Sequence, residues 1–162
     1  MRVIKNKQIL DDEWQLLADL ADDAALPDGK VIVPWSYWLA HRDELRKPGT
    51  KYAVLINGDI ETEGVADDLQ YFELIALDFP VFTDGRSYSH ARLLRDRFHY
   101  TGELRAVGDV LRDQLFFMQR CGIDSYQLRA DKNIDDALTA FDDFTVKYQT
   151  AADQAEPIYK VR

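Results

Sequence analysis

The sequence predicts an α/β fold: about five parallel strands alternating with helices, forming either a partial (β/α) barrel-like arc or an open doubly wound sheet, with a short N-terminal hairpin. Three observations predict it. Compact apolar runs recur at 31–33, 52–56, 74–77, 104–107 and 126–128, a spacing of about 20–30 residues. The stretches between them place apolar residues three and four apart, the helical period. Pro, Gly, Asn and Asp separate the two kinds of segment. The chain has 162 residues, 46% of them hydrophobic and 12% aromatic, enough to bury one core without a metal or a disulfide. One domain over 1–162 is expected, with residues 1–12 as the hairpin and 145–162 as a tail.

Taken in order, Val3-Ile4 and Ile9-Leu10 flank the polar turn Lys5-Asn6-Lys7-Gln8, which reads as the hairpin. Asp11 or Asp12 can cap a helix starting near Glu13, with Trp14, Leu17, Ala18 and Ala21 at helical spacing. Pro27-Asp28-Gly29 is a turn. The strand at 31–33 stops at Pro34, and Ser36 can cap a helix carrying Trp38, Leu39, Arg42 and Leu45, which Pro48-Gly49 breaks. The strand at 52–56 stops at Asn57-Gly58-Asp59, and a short helix over 63–71 sets Val65, Leu69 and Phe72 on one side.

The run 74–77 is apolar on both faces, as a central strand should be, and Phe79-Pro80 argues against a helix there. The helix after Arg86 turns Tyr88, Ala91, Leu94 and Phe98 inward and Arg92, Arg95 and Asp96 outward, and ends at Thr101-Gly102. The strand at 104–107 leads into a helix over 110–120, with Leu111, Leu115 and Met118 facing the core and Gly122 as C-cap. After the strand at 126–128, an acidic helix over 134–144 buries Ile134, Ala137, Leu138 and Phe141. This order shows no topological switch, which favours the arc. In either shape ligands bind at the carboxyl ends of the strands.

The net charge of −9 disfavours nucleic acid and anionic lipid as partners. No apolar run approaches the roughly 20 residues a membrane span needs, and the N-terminus lacks a signal-peptide core, so a cytoplasmic protein is expected. The single cysteine, Cys121, cannot form an internal disulfide or a Cys-x-x-Cys pair, and reads as a buried structural thiol. There is no His-Glu-x-x-His or paired-cysteine metal motif, no Walker loop and no Gly-x-Gly-x-x-Gly, so the sequence names neither a metal nor a cofactor.

Between residues 86 and 120 stand seven arginines, at 86, 92, 95, 97, 105, 112 and 120, against four carboxylates, an excess of three in an acidic chain. The planar guanidinium fork suits sulfate, phosphate or carboxylate oxygens. Arg86, Ser87 and Ser89 precede or open a helix, whose free N–H groups favour an anion. Arg112, Asp113 and Gln114 sit at the matching position after the next strand. These six are the candidate anion-binding residues. Asp84 and Asp109, each before a helix, are candidate catalytic carboxylates, although helix capping is the plainer role for both. Histidine titrates near neutrality, which makes His90 the candidate proton carrier, although a surface position is the plainer reading of a lone histidine in a first turn.

Leu74-Ile75-Ala76-Leu77-Asp78-Phe79-Pro80, Phe82-Thr83-Asp84-Gly85-Arg86, Ala91-Arg92-Leu93-Leu94-Arg95, and the block from Gly102 through Gln114 together resemble the bacterial domain-of-unknown-function 934 family. The likeness continues through Arg120-Cys121-Gly122, and one position departs from the family pattern, with Ser87 where glycine is more common. The resemblance implies a place in assimilatory sulfate or sulfite reduction: an oxidoreductase or oxyanion-handling accessory protein, or a non-catalytic partner of sulfite reductase. It supplies no catalytic residues of its own. The acidic stretch around Asp135, Asp136, Asp142 and Asp143 could dock a basic partner, although a solvated face is the plainer reading.

Overall fold

A computed structural model of the chain describes residues 2–47, 51–79, 86–128, 133–139 and 141. Its centre is one eight-stranded sheet curled into a half-barrel. The strands are β1 (Arg2–Lys5), β2 (Gln8–Asp11), β3 (Gln15–Leu16), β4 (Val31–Pro34), β5 (Tyr52–Ile56), β6 (Phe72–Phe79), β7 (Glu103–Gly108) and β8 (Ser125–Tyr126). They lie in the order β2-β1-β8-β7-β6-β5-β4-β3. From β3 to β8 each strand pairs in parallel with the next, and β1 runs antiparallel to both β8 and β2. Neighbours in sequence are neighbours in space throughout the parallel part. The reversal of order that defines a doubly wound sheet does not occur.

Helices fill four of the five parallel crossovers. They are α1 (Trp35–Leu45), α2 (Thr62–Ala66) with a 3-10 turn at Leu69–Tyr71, α3 (Arg86–Arg92) running into a π-helical segment at Leu93–Arg97, and α4 (Leu115–Arg120) after a 3-10 turn at Arg112–Gln114. A fifth helix, α5 (Ile134–Leu138), follows β8 and packs on β1 and β2. No helix joins β3 to β4, so the sheet is mostly parallel without being a strict alternation.

The helix expected from Glu13 is absent. Gln15 and Leu16 instead pair with Val31 and Ile32, while Ala18 and Ala21 are exposed. The open edge of β4 offers this segment a ladder, and a face of the sheet gives Trp14 and Leu16 an apolar surface. Ser36 does not cap α1 either: Pro34, extended at φ −62° and ψ 152°, holds that position without a side-chain bond. Asn133 does cap α5, accepting from the Asp136 N–H at 3.1 Å. The expected break at Pro48-Gly49 and the tail at 145–162 lie outside the described residues.

Each face of the sheet has its own core. On the outer face Val54, Ile56, Ile75, Leu77, Phe79, Leu104 and Ala106 meet apolar residues from all five helices. On the inner face Ile32, Ala53, Leu74, Ala76 and Val107 are buried beneath Trp14 and Leu16. The topology explains this cover. β2 and β3 are the two edges of the half-barrel, yet only residues 12–14 join them, a span of no more than about 14 Å. The connection therefore crosses the mouth of the arc as a strap. Asp12 from this strap reaches Arg105 on β7 at 2.8 Å, with both side chains almost fully buried (2% and 3% exposed).

The end of α4 is a Schellman motif. Gly122 donates to the Gln119 carbonyl at 3.0 Å, Ile123 donates to the Met118 carbonyl at 3.2 Å, and Gly122 takes φ +102°. A Cβ at Gly122 would also lie 2.6 Å from Cγ of Arg95. Strain and clash act together, so Gly122→Ala is expected to destabilise the fold by about 2 kcal/mol in urea unfolding. A change near zero would show that the α4–β8 turn has another conformation.

Candidate functional site

The parallel pairing of β6 with β7 brings their carboxyl ends together, with Phe79 opposite Gly108. The Asp109 N–H donates to the Phe79 carbonyl at 2.6 Å. Gly108 has φ +91°, and a Cβ there would stand 2.7 Å from both the Asp78 carboxylate and the Phe79 carbonyl oxygen. The two turns thus share one edge, as their order in the sheet requires.

The side chains on that edge do not form one cluster. Arg86 turns toward β5, where its Nη1 meets the Asp59 carboxylate at 2.5 Å in an exposed pair. Arg112 turns the other way, to α5, with Nε 3.3 Å from the Asp136 carboxylate and Nη2 donating to Thr139 Oγ1 at 3.0 Å. Ser87 is buried, and its hydroxyl donates to the Asp78 carbonyl at 2.6 Å, stapling α3 to the end of β6. Ser89 is exposed. Asp109 lies in the turn, two residues before the Leu111 cap of the 3-10 turn that contains Asp113 and Gln114. Asp84 lies outside the described residues.

His90 differs from these. It is 8% exposed on α3, and neither ring nitrogen has a hydrogen-bond partner among the described residues. It follows Arg86 by four residues and so shares its side of the helix. Beside it, the opposite side of α3 carries Tyr88, whose ring meets Phe79 and Phe117 edge-on at 4.9 Å each. Burial, and then the neighbouring Cys121 thiol, push the Tyr88 hydroxyl up to about 12. Burial likewise raises the Cys121 thiol against the pull of Arg92 and Arg120, so it is protonated at neutral pH.

The other arginines of the basic stretch are engaged within the chain. Arg92 meets Asp96 at 3.3 Å and donates to the Arg120 carbonyl, and Arg97 meets Glu63 at 3.2 Å. Arg95, expected to face outward, instead folds inward and donates to the carbonyls of Gly122, Tyr100 and Gly102 at 2.8–2.9 Å. The reason lies in the backbone: three carbonyls at the end of α4 and before β7 need donors, and the guanidinium supplies several from one plane.

Two features lie outside the candidate site residues that the sequence singles out. One is the polar cluster on the inner face, where Arg105 is held by Asp12, by Glu103 at 2.8 Å and by Ser125 Oγ at 3.2 Å, with Lys5 at 2.9 Å from Glu103. Its signal was an arginine alternating with Leu104 and Ala106 inside a strand, a position that demands partners. The other is a cavity of about 450 Å³ at the amino ends of the strands, lined by Lys7, Arg95, Gln119, Asp124, Tyr126 and others. It is at the opposite end of the sheet from the predicted site.

Among the described residues no cluster of histidine, cysteine or carboxylate side chains could hold a metal ion. None of the described helices is long and apolar enough to cross a membrane. No curated protein and no solved structure matches the chain. The family described as "Bacterial protein of unknown function (DUF934)" matches residues 53–159, from β5 past α5, and with about two thirds of its length covered the chain belongs to that family.

Proposed function

We propose that this chain is a non-catalytic partner of an enzyme of assimilatory sulfite reduction, sulfite reductase itself in the simplest case. The pathway comes from the family resemblance set out above. The mode of action is supported by a single structural observation, the stack Phe79–Tyr88–Phe117. A lone exposed phenylalanine is ordinary on a protein surface. Phe117, however, is 51% exposed at the outer end of a stack that begins on the central strand β6. A backed aromatic of this kind loses little entropy on binding and is the usual anchor of a protein interface. In this reading the arc is a partial (β/α) barrel of five units with β3 added, and the surface of α4 around Phe117 is the docking face.

The chain fused to an affinity tag is expected to co-purify with sulfite reductase at low and moderate salt from a host growing on sulfate. Phe117→Ala should reduce recovery about tenfold, the effect of a single aromatic anchor, without a change in melting temperature. Recovery of no sulfite reductase at either salt would overturn the reading.

A second reading, an oxyanion-handling oxidoreductase of the same pathway, is favoured by His90, buried one turn from Arg86 and without a hydrogen-bond partner among the described residues. Arg86 would hold the small anion, Asp84 and Asp109 would orient it, and His90 would carry the proton. Growth on sulfate separates the two. The partner reading expects Arg86→Ala and His90→Ala to complement fully. Loss of growth with a folded protein transfers the function to this second reading.

A further inference from the structure

We propose that the cavity at the amino ends of the strands is a binding site for a small zwitterion, an amino acid or a short peptide with both a free carboxylate and a free ammonium group. The claim goes beyond the docking role and does not depend on it. At about 450 Å³ the cavity falls within the size range of small-molecule sites.

Its walls are fixed. The Asn6 N–H donates to the Asp124 carbonyl at 3.0 Å, the Asp124 N–H to the Leu104 carbonyl at 3.0 Å, and the Tyr126 hydroxyl to the Ile123 carbonyl at 2.7 Å. Asn6 and Lys7 both take positive φ, 52° and 64°, which sets the hairpin turn at the rim. The opposite wall is the π-helical segment Leu93–Arg97, a local widening of a helix that is frequent at ligand sites.

The polar groups inside divide into those already committed and those left over. Arg95 is committed to three carbonyls, and one oxygen of Asp124 accepts from the Leu104 N–H at 2.9 Å. Two groups remain. The side-chain oxygen of Gln119 is buried in the wall with no hydrogen-bond donor among the described residues. Lys7 lines the cavity and forms no ion pair with any described residue. A buried acceptor without a donor is costly, and an N–H from a ligand would satisfy it. A cation at the rim calls for an anion. The second oxygen of Asp124, 3.6 Å from Arg95, adds an acceptor in the same cavity. One ligand answers all three needs if it carries an ammonium at one end and a carboxylate at the other. The rings of Tyr126 and Phe141 leave an apolar wall for its side chain.

The test is a thermal-shift screen of the intact chain against the twenty amino acids and a set of dipeptides, each also in N-acetylated and C-amidated form, followed by titration calorimetry. At least one zwitterion should raise the melting temperature saturably. Capping either end should weaken binding about tenfold or more, and Lys7→Ala and Gln119→Leu should each do the same, since each removes one polar contact. Because Gln119→Leu alters a buried position, Gln119→Glu serves as its control: it keeps the acceptor, so zwitterion binding should persist. The proposal fails if no zwitterion shifts the melting temperature, or if binding is unchanged in both Lys7→Ala and Gln119→Leu. None of these outcomes bears on recovery of a protein partner through Phe117.

Discussion

Arg105→Met is expected to lower the stability of the fold by about 3–5 kcal/mol at neutral pH, the range for breaking a buried ion pair from one side. The methionine fills most of the volume but leaves Asp12 and Glu103 without their shared cation, and Asp12 is buried as deeply as Arg105 itself. The loss also unfastens the strap. Asp12 is the point at which residues 12–14 attach to the middle of the sheet, 93 residues away in sequence. Trp14, next to it, is part of the cover over the inner core.

The same variant carries a pH signature. In the wild type, burial pushes the Glu103 carboxyl up, but the Ser125 hydroxyl, Lys5 and Arg105 together outweigh it and hold the group below its ordinary value of 4.5. A carboxyl whose folded pKa is depressed adds stability above its unfolded pKa and loses it as pH falls through the folded one. Without Arg105, burial gains on the remaining partners and the folded pKa moves up. The variant's deficit should therefore be greatest near pH 7 and shrink as pH falls toward about 4, where the buried carboxyl is protonated. Urea unfolding at pH 7 and at pH 4.5 measures it. A deficit equal at both would mean that lost packing, and not an uncompensated charge, sets the cost.

The contrast between Arg105 and its neighbours shows what the sequence could convey. The parallel strands were legible because most are apolar on both faces, and their monotonic order followed from the absence of any switch. The strand at 104–107 is legible for the same reason, yet in sequence Arg105 is only one charge among seven. Which face of a strand points inward depends on what covers it, and here the cover comes from residues 12–16. Those residues read as a helix because Trp14, Leu17, Ala18 and Ala21 keep a helical spacing; at two residues, β3 is too short to show a period of its own. Tertiary pairing with β4 overrode the local pattern.

The candidate site divides along similar lines. That two strand ends would share one edge was readable from topology, and Phe79 lies opposite Gly108. The direction of each side chain was not readable. Arg86 and Arg112 follow their carboxylates, Asp59 and Asp136, which come from different neighbours in the fold. An excess of arginine in sequence says that anions are needed, without saying that they must come from outside. Gly122 is legible as the C-cap because a helix end imposes local rules that hold whatever packs against it.

Asp68→Ala should show the second large loss, about 3 kcal/mol, through a different mechanism. Asp68 is fully buried between α2 and β6. One carboxylate oxygen accepts from Trp38 Nε1 at 2.8 Å and from Arg42 at 2.8 Å, and the other accepts from Arg46 Nε at 2.6 Å and pairs with Arg46 Nη2. This one side chain ties α1 to the crossover between β5 and β6. The two guanidinium groups are about a third exposed, so water takes them over in the variant and the ion pairs themselves contribute modestly. Trp38 has no such exit. Its ring is enclosed by Phe72, Tyr52 and Tyr71, with Phe72 edge-on at 4.8 Å, and its N–H would be left buried without an acceptor. Asp68→Asn keeps one carbonyl for the indole and should recover about half of the loss. For a domain of this length 3 kcal/mol corresponds to about 6–12 °C in melting temperature. Near-ultraviolet circular dichroism of the tryptophan and thermal melts of the two variants test the account together. If asparagine proves as harmful as alanine, the arginines and not the indole are what Asp68 holds in place.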